Sequence, residues 1–242
     1  MPLKVYDGAA WVNTGGVSPA DFSNTATGTY TSGGVDYKYV KFNSSGTLTV
    51  TSAGIADILI VSGGGGAGTT GGFVGGAGGG GGVSYQSIYL DTISYSAVVG
   101  GGGGGGGNGG TSYFRPSSGS LSSPFRFWVP GGGAGASSGG VGTGGQATGG
   151  GGSNNTGGTA GFSNTYGGNG SNYSSGGAGG SATANSDAGT GVGIFNSITG
   201  SSIEYGRGNF FTGVSPTANT GRGGIVSAGA GASGVIIIRV QI

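Results

Sequence analysis

Two apolar runs, residues 56–61 (ADILIV) and 235–240 (VIIIRV), bracket a stretch that holds most of the chain's 69 glycines. That placement decides how the glycines are read. A Gly/Ser-rich segment with nothing at its ends behaves as a flexible coil, whereas strands that are apolar on both faces need a folded body to bury them. The glycine tract is therefore expected to be part of the fold.

Few conformations suit such a tract. Each interior glycine costs a helix about 1 kcal/mol relative to alanine, and a strand gains little from a residue with no side chain to pack. An extended threefold helix has no internal hydrogen bonds, and glycine lets neighbouring backbones approach closely enough to bond with one another. Collagen uses that geometry with a strict period, but here the period is broken and only six prolines are present. The expectation is a bundle of short polyglycine II helices from one chain, cross-bonded, with small side chains and aromatics at the turns. Ordering a backbone costs roughly 1 to 2 kcal/mol per residue, with glycine at the expensive end. Backbone hydrogen bonds, the flanking strands and a partner surface have to offset this cost, so a homo-oligomer is expected, with a trimer as the working choice.

Outside the tract the pattern is one of strands. Residues 3–6 and 10–13 read as a hairpin around Asp7-Gly8, and residues 14–29 as a polar linker. Residues 35–42 (VDYKYVKF) place Val35, Tyr37 and Tyr39 on one face and Val40 and Phe42 on the other, and residues 47–51 (TLTVT) turn Leu48 and Val50 inward. Residues 83–90 (VSYQSIYL) and 92–99 (TISYSAVV) read as a second hairpin joined at Asp91. The runs at 56–61 and 235–240 are expected side by side in one sheet. The predicted class is all-β, with β-sandwich-like strands flanking the polyglycine II bundle and no α-helix. It divides into an N-terminal hairpin and linker over 1–31 and a glycine-rich domain over 32–242.

Composition removes several function classes. Apolar residues make up 33% and charged residues 6%, and eight Lys/Arg nearly balance seven Asp/Glu. Low charge with eleven Tyr and ten Phe fits packed structure better than a solvated chain. A net charge of +1 offers no electrostatic footprint for nucleic acid or anionic lipid. With neither Cys nor His, disulfides, thiolate metal sites and a Ser-His-Asp set are impossible.

Motif matches carry little. Gly-x-Gly-x-x-Gly recurs by chance in so much glycine, and no Gly-Lys-Ser/Thr follows it. A calcium-binding β-helix needs a series of aspartates, yet residues 100–242 contain Asp187 alone. Asp187 and Glu204 have no pattern that supports a catalytic pair. Arg222-Gly223-Gly224 is a single copy and reads as a turn before the last strand rather than an RNA contact. Sequons at Asn43, Asn154, Asn169 and Asn172 read as accidents of Asn/Ser-rich turns. The first residues show neither the basic end nor the apolar run of a secretory signal, and no run approaches the length of a membrane span. A product made and kept soluble in a cytoplasm is expected, with no catalytic residue, cofactor, metal or membrane insertion.

The order of parts resembles the glycine-rich domain family of bacteriophage tail and other virion proteins. The resemblance rests on GTLTVTSAGIADILIVSGGGGAG (46–68), GGGGVSYQSIYLDTISYSAVVGGGG (79–103), GGTSYF (109–114), VGIFNSITGSSIEYGRG (192–208), ANTGRGG (218–224) and GVIIIRVQI (234–242). It covers roughly residues 35 to 242. Two departures stand out: GNFFTGVSP (208–216) replaces a long glycine stretch, and RPSSGSLSSPFRFWVP (115–130) is an insert nearly free of glycine.

The resemblance implies a non-enzymatic virion structural protein of tail-fibre or tail-tip adhesin type. Its implied location is the virion, and its implied partners are other virion proteins and a host-surface saccharide or outer-membrane protein. The alternatives are a capsid or tail decoration protein and, more distantly, an ice-binding or matrix-type scaffold, for which the threonine spacing is too irregular. An uncharacterised hydrolase is disfavoured by the missing His. Tyr and Trp give rigid, amphipathic contact area. The receptor-contact candidates are therefore Tyr113, Arg115, Phe125, Phe127, Trp128, Tyr166, Tyr173, Phe210 and Phe211, with packing against the glycine body as the competing role. Val5, Tyr6 and Trp11 are candidates for attachment to another virion protein, or for a hairpin core.

Overall fold

The structure, a computed structural model, describes residues 4–6, 11–13, 18–68, 76–118, 127–135, 193–209, 215–225 and 229–242. Among these it is all-β, with antiparallel sheets and no helix. One five-stranded sheet runs β4 (Gly28–Ser32), β5 (Val35–Phe42), β14 (Val235–Gln241), β7 (Gly54–Val61) and β8 (Val83–Leu90). The other runs β11 (Phe127–Val129), β10 (Ser112–Pro116), β9 (Ser94–Val98), β6 (Gly46–Ser52) and β3 (Asp21–Phe22).

Alternating residues from both sheets fill one core. Val40, Ile58, Ile60, Ile88, Ile236 and Ile238 meet Phe22, Leu48, Val50, Tyr95, Phe114 and Val129. Side chains of this kind contribute about 1.5 to 3 kcal/mol each on full burial, and Tyr95 and Phe114 also stack with ring centroids 5.0 Å apart.

The two bracketing runs are neighbours, as expected. β7 and β14 pair antiparallel, with Val61 opposite Val235 and Ile58 opposite Ile238. Their far face is covered by a small hairpin, β12 (Ile194–Asn196) with β13 (Ile203–Tyr205). Ile194, Ile198, Ile203 and Tyr205 pack there on Leu59, Val61, Val235 and Ile237. Burial on both faces is why consecutive positions in each run are apolar.

Beyond the sandwich, six strands continue as glycine. β7 leads into 62–68, β9 into 100–106 and β11 into 130–135, while 76–82 leads into β8, 107–110 into β10 and 229–234 into β14. Segment 62–68 lies at the centre. Its N–H groups alternate among three neighbours: Ser62, Gly65 and Gly68 donate to Gly82, Gly79 and Gly76 at 3.0, 2.9 and 2.9 Å. Gly63 and Gly66 donate to Gly110 and Gly107 at 3.0 and 2.8 Å, and Gly64 and Ala67 to Ala232 and Gly229 at 2.9 and 2.6 Å. Its carbonyls accept from three further segments: Gly63 and Gly66 from Gly132 and Gly135, Gly64 and Ala67 from Gly103 and Gly106, and Gly65 from Gly224.

The six neighbours also bond to one another in a closed ring. Gly79 donates to Gly133, Gly109 to Gly132, Gly110 to Gly101, Gly231 to Gly103, Ala232 to Arg222 and Gly78 to Gly224. A β-ladder bonds within one plane. Here bonds radiate in six directions from a single segment.

The change from sandwich to array has a steric cause. Face-to-face sheets stand about 10 Å apart, whereas hydrogen-bonded backbones lie about 4.7 to 4.9 Å apart. Ile58, Ile60, Phe114 and Val129 fill the wider gap. Where side chains stop, the layers close, and Gly63 of the β7 continuation reaches Gly110 of the segment leading into β10. Buried serines bridge the changeover: Ser62 Oγ donates to the Pro130 carbonyl at 2.5 Å, and Ser112 Oγ donates to the Val61 carbonyl at 2.8 Å. A Cβ on Gly63, Gly64, Gly65 or Gly66 would lie 1.9, 2.2, 2.0 or 1.8 Å from a backbone oxygen of another segment. Ala67 and Ala77, both fully buried, mark where a methyl group fits.

Two expectations are corrected. Residues 83–90 and 92–99 do not pair, because β8 lies in one sheet and β9 in the other, so the Asp91 connection crosses between layers. Residues 18–29 are not linker: Ala20 and Phe22 are buried in the core, Pro19 bridges to Ile55, and β4 pairs with β5. A division after residue 31 falls within β4. The expected N-terminal hairpin is present as β1 (Lys4–Tyr6) and β2 (Trp11–Asn13), with Tyr6 opposite Trp11. Its Asp7-Gly8 turn lies outside the described residues.

Candidate functional site

Strand directions give the molecule two ends. The chain leaves the sandwich along 62–68, 100–106 and 130–135 and returns along 76–82, 107–110 and 229–234. Gly68, Gly76, Gly135 and Gly229 therefore lie at the end of the array remote from the sandwich. So does the turn at Gly106, whose φ of 71° suits glycine. The stretches 69–75 and 226–228 are attached at this end, and the chain after residue 135 departs from it.

The described parts of the insert, 115–118 and 127–130, belong to the sandwich: β10 runs away from the array to Pro116, and β11 runs antiparallel to it. Register sorts its side chains. Ser112, Phe114 and Val129 are buried, and Phe127, opposite Phe114, packs against the same core. Tyr113 stands opposite Trp128 on the outer face, with the Arg115 guanidinium 5.2 Å from the Tyr113 ring centroid. Tyr113, Arg115 and Trp128 thus share one half-exposed surface, whereas Phe127 contributes to packing. Phe125, Tyr166, Tyr173, Phe210 and Phe211 lie outside the described residues, as do the side chains of Val5, Tyr6 and Trp11.

A second surface was not singled out from the sequence. It lies on the outer face of the β4-β5-β14-β7-β8 sheet, beside the covering hairpin. Arg239 and Asp57 are directly opposed in β14 and β7, and Asp57 is opposed by Ser87 in β8. Arg239 Nε donates to Asp57 Oδ2 at 3.1 Å, and Nη2 also bonds this oxygen. Arg239 Nη1 donates to the Tyr30 hydroxyl at 2.5 Å and Nη2 to that of Tyr85 at 3.2 Å. The guanidinium lies 4.6 Å from the Tyr37 ring centroid, with Tyr30 stacked on Tyr37 at 5.4 Å. Ser87 Oγ donates to Asp57 Oδ1 at 2.5 Å.

Burial opposes the charge on Arg239, but its hydrogen bonds to Asp57 and Tyr30 outweigh that and hold the guanidinium above its ordinary range. The two opposed charges compensate each other across the strand pair. Further from the array, Gln241 stands opposite Tyr37 and Ile55 opposite Tyr89, with Pro19 bridged to Ile55. An open cleft of about 300 Å³ lies there, lined by Pro19, Tyr37, Ile55, Asp57, Arg239 and Gln241 among others. The available signal was one charged residue within each bracketing run, Asp57 in ADILIV and Arg239 in VIIIRV.

No protein-family model matches the chain, and no curated protein matches it.

Proposed function

We propose that the chain is a non-enzymatic structural protein of a bacteriophage particle, a tail-fibre or tail-tip adhesin whose glycine array carries recognition loops away from a β-sandwich. The observation that carries this reading is the six-neighbour array itself. Every described segment is fixed by backbone bonds in several directions, and Gly68, Gly76, Gly106, Gly135 and Gly229 lie together at its remote end. Such a body holds loops without a large apolar core. The three-residue step of its hydrogen bonds is that of a threefold helix, and we assign the segments as polyglycine II helices on that ground.

In this reading the N-terminal hairpin, with Val5, Tyr6 and Trp11, joins another virion protein. Tyr113, Arg115 and Trp128 add a contact surface at the sandwich end. The resemblance to virion glycine-rich domains supplies the setting, and a homo-oligomer, taken as a trimer, supplies the copies. The reading is tested by labelling the protein in intact particles and by particle adsorption with Tyr113→Ala/Trp128→Ala. Label at the tail tip or fibre and reduced adsorption with normal assembly are expected. Label spread over the capsid with unchanged adsorption would replace this reading with a decoration role.

A further inference from the structure

We propose that the cleft between Pro19, Tyr37, Ile55 and the Asp57–Arg239 pair binds a neutral saccharide. This site is on the opposite sheet from Tyr113 and Trp128, and it stands independently of the particle role.

Three features define the ligand class. Ile55, 38% exposed, lines the cleft with Pro19 and Tyr37, and Tyr89, 48% exposed, stands opposite Ile55 on the adjacent strand. That is apolar and aromatic surface of the kind that packs against the C–H face of a pyranose ring. Behind it stand a carboxylate, a guanidinium and the amide of Gln241, a mixed set of acceptors and donors matched to a row of hydroxyls. Asp57 accepts from Ser87 and twice from Arg239, so a fourth acceptor position on its carboxylate is left for a ligand hydroxyl.

Charge narrows the choice. Because Asp57 neutralises Arg239 across the strand pair, an anionic sugar meets no uncompensated cation, and a cationic ligand no uncompensated carboxylate. The cleft, at about 300 Å³, is at the small end of ligand sites and suits one or two sugar rings rather than a protein segment.

The full chain is tested against an array of immobilised oligosaccharides spanning neutral hexose, N-acetylhexosamine, sialylated and sulfated members, with retained glycans titrated in solution by amide chemical shifts. Retention of neutral glycans is expected, with shifts centred on Ile55, Tyr89 and Gln241. Tyr89→Ala should weaken binding about two- to tenfold, the loss expected for one aromatic contact, with an unchanged circular dichroism spectrum. Asp57→Asn, which leaves the guanidinium uncompensated, should move the preference toward sialylated or sulfated members. The proposal is overturned if the unaltered chain retains no neutral glycan or prefers anionic ones, or if Tyr89→Ala binds as the unaltered chain does.

Discussion

A Cβ placed on Gly65 would sit 2.0 Å from the carbonyl oxygen of Gly133, on a neighbouring segment of the array. Both residues lie inside the array, beyond the changeover at Ser62 and Pro130. Gly104, on segment 100–106, has the opposite surroundings, with nothing within 4 Å of the same position. Gly65→Ala is expected to cost about 3 kcal/mol or more, the upper end of overpacking penalties. Gly104→Ala is expected to be neutral or stabilising by about 0.4 to 1 kcal/mol, through the unfolded chain. Urea denaturation midpoints separate the two, and equal costs would argue against a packed array.

Tyr205 is fully buried, and its hydroxyl has no hydrogen-bond partner. Burial, with a smaller contribution from Tyr39, pushes its pKa up to about 12 from 10.0. The folded state therefore keeps a proton that the unfolded chain releases. Stability from this group is complete below pH 10.0 and is lost as pH rises toward about 12. The loss amounts to about 2 to 3 kcal/mol. Tyr205→Phe should flatten that alkaline decline and raise stability at neutral pH by about 1 kcal/mol, by removing an unsatisfied hydroxyl. Denaturation midpoints across the alkaline range check both effects.

Asp57 and Arg239 keep about a fifth of their side-chain surface exposed, at 20% and 16%. Removing one partner leaves a charge in a half-buried setting. Arg239→Ala is expected to cost about 2 to 3 kcal/mol, below the range for fully buried pairs. The double replacement Asp57→Leu/Arg239→Met should cost less than the sum of its parts, as a double-mutant cycle on denaturation midpoints will report.

Much of the sandwich is legible in the residues. Leu48 and Val50 alternate with threonines and are both buried, and the runs around Ile58 and Ile236 show burial on both faces. Alternation gives the face of a strand but not its sheet. Ile88 and Tyr95 reach the same core from different layers, which is why 83–90 and 92–99 read as a hairpin. Phe22 is the core residue of a two-residue strand, too short for any period to show. Within the array no side chain records which glycine bonds to which. The ion pair on the outer face was hidden because each charge is a single residue in an apolar run, and only the register of β7 with β14 brings the two together.

The most direct measurement is native-state amide exchange at Gly63, Gly64, Gly65 and Gly66. Each donates to a different segment from its chain neighbours, at 2.8 to 3.0 Å. These amides should exchange only with global unfolding, as slowly as those of Ile236 to Ile238 in β14. Exchange at the rate of an unstructured chain, with β14 still protected, would contradict a hydrogen-bonded glycine body.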